Sequence, residues 1–356
     1  MSDRLRYDIG DVQVPADEMR AFGTSALTAT GVPGDDAILV VETLVHADLR
    51  GVFSHGTRLL AAYTEALEAG AINPTPNIRV SHSTGAAVVN GDRSLGQLGA
   101  WAGMQAAIDI AHDRGIGVAA VSDTGHFGAA AYWALLAADA GLIGHAASNM
   151  AGPCMLATGS RQPATGNTPL AWAFPTHGAH PVVLDMASGA YALNKLHMVG
   201  ATTGSLPAGV ATDSEGNPTT DASRLAYVVP AGGPKGYGIG LVHDLMAGVL
   251  SGDGATLIKG ALDPANRGPR GSLFFLTIDV GAFLPLSDFR TAMDEQSRAV
   301  NSLPPAAGFS KVQMPGQPEW ELFEDRVANG IAYPASVVEP LTAMAERLGL
   351  DAPAGF

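Results

Sequence analysis

From Gly96 to Asn149 the chain alternates two patterns. WAGMQAAIDIAHDRG reads as an amphipathic helix, IGVAAVSD as a short apolar strand, GAAAYWALLAADAG as a second helix and LIGHAASN as a second strand. Helices and strands in this order bury their apolar faces against one another in an α/β layer, which constrains the fold more than any other stretch. Apolar residues make up 47% of the chain and aromatics 6%, so the core is built mostly from Ala, Val and Leu, and a disordered chain is excluded.

The flanks read differently. Pro33-Gly34-Asp35-Asp36 opens a helix that Gly51 ends, and a second helix runs from Thr57 to Ala69, with Gly70 where a left-handed residue is favoured. Two β-type runs between Asn77 and Asn90 flank Ser83-Thr84-Gly85, a hairpin pattern. Short helices are expected over Tyr191–Val199 and Tyr237–Leu250, SLFFLTIDV is a strand, and the Gly- and Pro-rich segment 252–271 reads as a mobile surface loop. The helical ends pack together in the expected organisation. Residues 1–115 plus about 300–356 form a discontinuous, mainly helical domain on the substrate side, and about 116–299 form a central α/β domain.

Lys and Arg number 20 against 34 Asp and Glu, a net charge of −14 that repels a long polyanion, so nucleic-acid binding is not expected. Charged residues are 15% of the chain, so much of the surface is uncharged or covered by another subunit. A single cysteine, Cys154, excludes an intrachain disulfide and a thiolate metal cluster and points to a reducing compartment. No apolar run is long enough to span a membrane, and the mixed-charge N-terminus MSDRLRYDIGDVQVPADEM is unlike a signal peptide, so a cytoplasmic protein is expected.

The sequence lacks GxxxxGK[ST], HExxH and GxSxG. The nearest approach to G-x-G-x-x-G, Gly115-Ile116-Gly117-Val118-Ala119-Ala120, follows a helix and enters a strand, the reverse of the dinucleotide pattern. His177-x-x-His180 has no carboxylate or thiol close by, so no metal site is expected.

Four segments combine titratable groups with glycine. Arg50-Gly51-Val52-Phe53-Ser54-His55-Gly56-Thr57-Arg58 sets a hydroxyl, an imidazole and two guanidiniums on a turn between helices. A histidine exchanges protons near neutrality, a serine bonds the same oxygen, and an arginine holds a carboxylate bidentately. Ser122–Gly128 places His126 after a strand and before a helix whose positive end would keep the imidazole neutral. Gly232–Gly238 sets Lys235, one of four lysines, at a helix start suited to an anion. Leu184–Ala190 ends a strand in Ser and Gly, whose backbone amides can reach a diphosphate. A solvated turn or a helix cap is the plain alternative at each.

Taken in order, HADLRGVFSHG (46–56), GIGVAAVSDTGHFGAAAYWALLAADAGLIG (115–144), GNTPLAWAFP (166–175), LDMASGAYALNK (184–195), GNPTTD (216–221), GPKGYGIGLVHDLMAGVLSG (233–252) and MPGQ (314–317) resemble the non-Rossmann malate/L-lactate dehydrogenase family. GPKGYG and PGQ are most similar to its ureidoglycolate dehydrogenase branch. The resemblance implies a homodimeric α/β enzyme with a non-Rossmann NAD(P)-binding fold: a central mixed or antiparallel sheet domain beside a discontinuous, mainly helical one. It implies hydride transfer between NAD or NADP and a small 2-hydroxy or 2-oxo acid. Ser54 and His55 fall on the substrate-side pair. His126 falls on the proton acceptor of the ureidoglycolate branch, a role given to the position of His55 elsewhere, so both are candidates. Arg58, Arg50, Tyr63 and Thr124 complete the substrate side. Asp185, Met186, Ala187 and Ser188, Lys235-Gly236, Pro315-Gly316-Gln317 and Ser148-Asn149 fall on cofactor-contacting stretches.

Three departures concern the substrate side. Many relatives carry a carboxylate-clamping arginine four residues after the motif histidine; here that position is Leu59, and Arg58 precedes it by one residue, ~100° around a helix. Phe53 replaces a residue that is often polar, and Asp123-Thr124 replaces a common Asn-Ser. Reduction of a cyclic imino acid and non-catalytic nucleotide binding are the alternative readings.

Overall fold

The computed structural model describes residues 13–150, 152–178, 180–262 and 271–356. After a two-residue strand β1 (Gln13–Val14) come helices α1 (Ala16–Ala29), α2 (Gly34–Leu49) and α3 (Leu59–Glu68). Asp35 and Asp36 occupy the first turn of α2, where the helix dipole favours acids, and Gly51 and Gly70 take φ of +77° and +68° as expected of them. Then follow β2 (Arg79–His82), β3 (Ala86–Ser94), α4 (Gly96–Arg114), β4 (Ile116–Thr124), α5 (Ala130–Asp139) and β5 (Leu142–Met150). The middle of the chain holds β6 (Met155–Leu156), β7 (Pro163–Thr165), β8 (Pro169–Phe174), β9 (Val182–Ala187), α6 (Leu193–Thr203), β10 (Ala211–Thr212) and β11 (Tyr227–Val228). Helix α7 (Pro234–Asp244) runs on into a π-turn over Leu245–Val249, followed by α8 (Thr256–Leu262) and β12 (Gly271–Asp279). The chain closes with α9 (Leu286–Asn301), α10 (Gln317–Asn329), β13 (Ile331–Ala332) and α11 (Ala335–Leu348).

Seven strands form the main sheet in the order β2-β3-β4-β12-β5-β8-β9. The β3–β4 pair is parallel and the other neighbouring pairs are antiparallel. It follows that β3, β4, β5 and β9 run the same way. Their C-terminal residues, Ser94, Thr124, Asn149 and Ala187 with its neighbours, gather at one end of the sheet. The register agrees: Thr124 is level with Gly271, and Gly271 with Met150, while Leu170 joins Ala147 to Met186.

Helices α4 and α5 share one core with the sheet, containing Met104, Trp133, Phe275 and many alanines. Close approach selects the small residues: a Cβ on Gly117 would lie 1.9 Å from the Ala107 carbonyl oxygen. A second core joins the two ends of the chain, packing Leu44 and Leu60 against Tyr333 and Leu341, and β1 pairs with β13. A third, around Met155, Leu196 and Val228, lies at the four-stranded sheet β10-β11-β6-β7.

In the segment 252–271, the described residues 252–262 are not the mobile surface loop that its composition suggests. Thr256 and Lys259 of α8 are buried: Thr256 bonds Asp244 at the end of α7, and Lys259 bonds Asn149 at the end of β5; residues 263–270 lie outside the described part. Among the described residues no helix is long and apolar enough to cross a membrane.

Candidate active site

Ser54 and His55 lie on one 3-10 turn, Phe53–His55, between α2 and α3. Asp48, fully buried in the last turn of α2, closes the loop that carries them. Its Oδ2 accepts the Thr57 N–H (3.0 Å), the Thr57 hydroxyl (2.6 Å) and the Tyr333 hydroxyl (3.0 Å). Arg326 donates to the Asp48 carbonyl oxygen. Burial pushes the Asp48 acid up to about 7, against the pull of the Thr57 bonds. Sequence reading passed over Asp48, although its place on the same helical stripe as Val41, Leu44 and Val45 marks it as a buried acid.

His126 is held from the other side. Its Nδ1 lies 2.9 Å from the Tyr63 hydroxyl and accepts the Gly128 N–H at 3.3 Å, and Gln97, fully buried in the first turn of α4, donates to the Tyr63 hydroxyl at 3.2 Å. Thr124 is buried, with its hydroxyl 3.0 Å from that of Ser94, while Gly125 N–H donates to the Ser94 carbonyl at 3.0 Å. These bonds fix the loop leading to His126. Gln97 was not legible as a site residue, because nothing local to it points at position 126.

The two imidazoles come together. Their ring centroids are 5.4 Å apart at 31°, and the Ser54 hydroxyl is 2.9 Å from His55 Nδ1. Both rings lie deep in the molecule and keep part of their surface accessible to solvent. Burial, helped by the Arg58 charge, lowers His55 to about 4, and burial, helped by His55, lowers His126 to about 3. Both are therefore neutral at pH 7. The expected cause at His126 was a helix end, and the structure corrects it: α5 begins only at Ala130, and Ala131 N–H donates to Asp185 Oδ2 at 2.9 Å.

Arg58 reaches this side of the molecule despite its one-residue offset, since its charge is felt at His55 and also at His197 of α6, which packs on the 53–55 turn. His197 carried no motif. Arg50 is directed elsewhere: its buried guanidinium lies 4.2 Å over the Trp320 ring and interacts with the charges of Asp185 and Glu319. Phe53 is part of the core, with no side chain on the crevice.

Strand β9 gathers the stretches matched to cofactor contacts. Val183 N–H donates to the Pro315 carbonyl at 3.3 Å, and Gly316 (φ +84°) caps α10, which begins at Gln317. Ala231 N–H donates to the Ser188 carbonyl at 3.0 Å, and Gly236 N–H returns to Ala231 at 2.9 Å, placing Lys235-Gly236 beside the end of β9. Met186 and Ala187 are half-buried there, and Asp185 keeps accessible surface while desolvation raises its acid to about 6. The amides of Ser188, Gly189 and Ala190 do not reach a diphosphate, because they donate to Thr168 O (3.1 Å), Asn167 Oδ1 (2.8 Å) and Val229 O (2.8 Å). Ser148 and Asn149 are buried at the end of β5; the Asn149 amide is committed to Lys259 Nζ (2.9 Å) and Gly254 O (3.2 Å). Lys235 stands exposed in the first turn of α7.

The sequence profile of the malate/L-lactate dehydrogenase family matches residues 14–342. The chain belongs to the malate/L-lactate dehydrogenase family. It is 34% identical to the malate dehydrogenase of Pyrococcus horikoshii, over 99% of both chains, and 34% identical to the NAD(+) ureidoglycolate dehydrogenase of Escherichia coli O157:H7, over 82% of this chain and 84% of the other. The solved sulfolactate dehydrogenase of Methanocaldococcus jannaschii superposes with a TM-score of 0.85 at 31% identity, covering 96% of this chain and 98% of that one. Equal identities to malate and ureidoglycolate dehydrogenases do not single out the ureidoglycolate branch. Among the described residues, no three His, Cys, Asp or Glu side chains are grouped to hold a metal ion.

Proposed function

We propose that this dehydrogenase moves a hydride reversibly between NAD or NADP and a small 2-hydroxy acid of the malate, lactate, sulfolactate or ureidoglycolate type. The observation that carries the reading is the pair of imidazoles, 5.4 Å apart and each partly accessible to solvent, which we take as the floor of one crevice near the sheet end that carries the cofactor-matched stretches. When bound, the oxidised nicotinamide supplies the hydride acceptor. Lys235 holds a phosphate of the dinucleotide at the start of α7.

The hydrogen bonds divide the work between the histidines. A backbone N–H only donates, so the Gly128 bond makes His126 Nδ1 an acceptor and leaves the proton on Nε2. His126 therefore holds the substrate oxygen as a donor. His55 can place its Nδ1 proton on the Ser54 oxygen, leaving Nε2 free to take the hydroxyl proton as hydride leaves the carbon. Arg58 receives the substrate carboxylate.

Three coarser features belong to the same reading. The mainly helical unit, read as residues 1–115 plus about 300–356 beside a central α/β unit of about 116–299, is supported by the core that joins the chain ends. A second copy of the chain covers the apolar face of α7 and its π-turn, making a homodimer. The scarcity of cysteine fits a cytoplasmic location.

The test is turnover on a panel of the four acids and a cyclic imino acid, with each cofactor. His55→Ala and His126→Ala should each lower kcat by about 10²-fold or more with cofactor binding retained. Wild-type turnover in both variants would overturn the reading. Lys235→Ala should raise the cofactor KM about tenfold, the worth of one charge-assisted bond; an unchanged cofactor KM removes Lys235 from the site.

A further inference from the structure

We propose that Lys259 and Asp253 are positioning residues that clamp the ends of β4, β5 and β12 together and so hold the loop bearing His126 in register with the cofactor side of the crevice. The proposal rests on the role given to His126 above. Lys259, in α8, is buried. Its ammonium donates to Asn149 Oδ1 at the end of β5 (2.9 Å) and to the Ser272 hydroxyl at the start of β12 (2.5 Å), and it lies 3.9 Å from Asp253 Oδ2. That same carboxylate oxygen accepts the Ser272 hydroxyl (3.0 Å) and the backbone N–H of Asp123 at the end of β4 (2.8 Å). One ammonium and one carboxylate thus join three strand ends.

The chain on either side is fixed to serve this contact. Asp244, at the end of α7, accepts the Thr256 N–H and the Thr256 hydroxyl (2.5 Å), which anchors the first turn of α8, one turn before Lys259. Asn149 Nδ2 donates to Gly254 O at 3.2 Å, pinning the loop that carries Asp253. At the other end, Asp123 has φ of +52°, a left-handed conformation that an L-residue adopts at a cost. That conformation turns its N–H to Asp253, three residues before His126.

A buried ion pair is a poor way to gain stability, because desolvating both charges offsets their attraction, and apolar replacements of similar volume are often as stable. What this pair supplies is direction: charged, short bonds that hold a strained backbone in one arrangement. The strand ends it joins carry the loop of His126, which holds the substrate oxygen, and the Ser148-Asn149 stretch on the cofactor-matched side.

The experiment is a double-mutant cycle on the full-length enzyme. Lys259→Met should lower kcat tenfold or more while the NADH dissociation constant stays within threefold, and Lys259→Arg, which keeps a charged donor, should return kcat to within threefold of wild type. In a His126→Ala background, Lys259→Met should lower kcat less than twofold further, because the residue it positions is gone. A full tenfold loss in that background, or no rescue by arginine, overturns the clamp alone. Wild-type turnover in His126→Ala overturns the reading of His126, and the clamp with it. If Lys259→Met is insoluble, Asp253→Ala, which releases the Asp123 N–H and leaves the other Lys259 bonds, carries the same cycle: kcat falls tenfold or more in the wild-type background and less than twofold further in His126→Ala.

Discussion

At Gly56 the backbone passes a carboxylate so closely that an added methyl carbon would lie 1.7 Å from Asp48 Oδ1. Neither side can yield easily: Asp48 is tied to Thr57 and Tyr333, and Gly56 follows the 3-10 turn that holds Ser54 and His55. Gly56→Ala should therefore cost about 3 kcal/mol or more of stability by overpacking and displace the His55 ring. Urea unfolding together with kcat of the folded fraction checks both parts; wild-type stability would show that the turn is looser than its contacts imply. Tyr63 makes a subtler case. Its hydroxyl stands between Gln97 Nε2 and His126 Nδ1, so Tyr63→Phe leaves the buried Gln97 amide short of an acceptor and His126 short of a donor. An unmade buried bond costs ~1–3 kcal/mol, and kcat should fall about tenfold, while cofactor affinity, set at the other side of the crevice, stays level. A fall in cofactor affinity equal to that in kcat would mean that Tyr63 supports the crevice as a whole.

Elements carried part of this structure in their sequence and hid the rest. The alternation from α4 to β5 was legible because each piece has its own period, and the Ser54-His55 and His126 turns stood out because glycines bracket titratable side chains. The place of β12 was not legible. It comes from residues 271–279, inserts between β4 and β5, and makes the sheet mostly antiparallel through pairing across more than 120 residues, which no local period records. Gln97 and Lys259 were missed for the same reason: their partners lie 34 and 110 positions away. Helix α7 shows the converse, a local apolar pattern left exposed among the described residues. Ile239, Val242, Leu245, Val249 and Leu250 are 42% to 59% exposed along one stretch of helix and π-turn, a surface that a monomer seldom leaves to water. With the low charged fraction, this supports the proposal that a second copy covers the face. Val242→Glu combined with Val249→Glu should convert the dimer into a monomer in analytical ultracentrifugation. A wild-type monomer, or a doubly substituted dimer, would move the interface elsewhere.

Taken as a whole, the molecule keeps an unusual number of imidazoles in surroundings that reject charge. Burial lowers His46 and His126 to about 3 and His55 and His145 to about 4. In the unfolded chain each titrates near 6.5. Below pH 6.5 the unfolded state therefore takes up protons that the folded state refuses, and stability is lost progressively as pH falls towards 4. Asp48, raised to about 7, and Asp185, raised to about 6, act in the opposite sense, since the folded state holds their protons where the unfolded chain has released them. Among the groups with the largest shifts, four oppose two through the interval from pH 6.5 to 4, and the lowered His197 adds to the four, so the balance is destabilising. The melting temperature should drop by about 5 °C or more between pH 7.5 and pH 5. One substitution isolates the cause. His46 is surrounded by the rings of Tyr132, Trp320 and Phe323, and among the described residues its buried Nδ1 has no hydrogen-bond partner. His46→Phe keeps the aromatic contacts and removes a group that must stay neutral. It should raise the melting temperature more at pH 5 than at pH 7.5, flattening the acid side of the profile. An equal change at both pH values would mean that His46 acts through packing alone, and that the acid sensitivity comes from the crevice histidines.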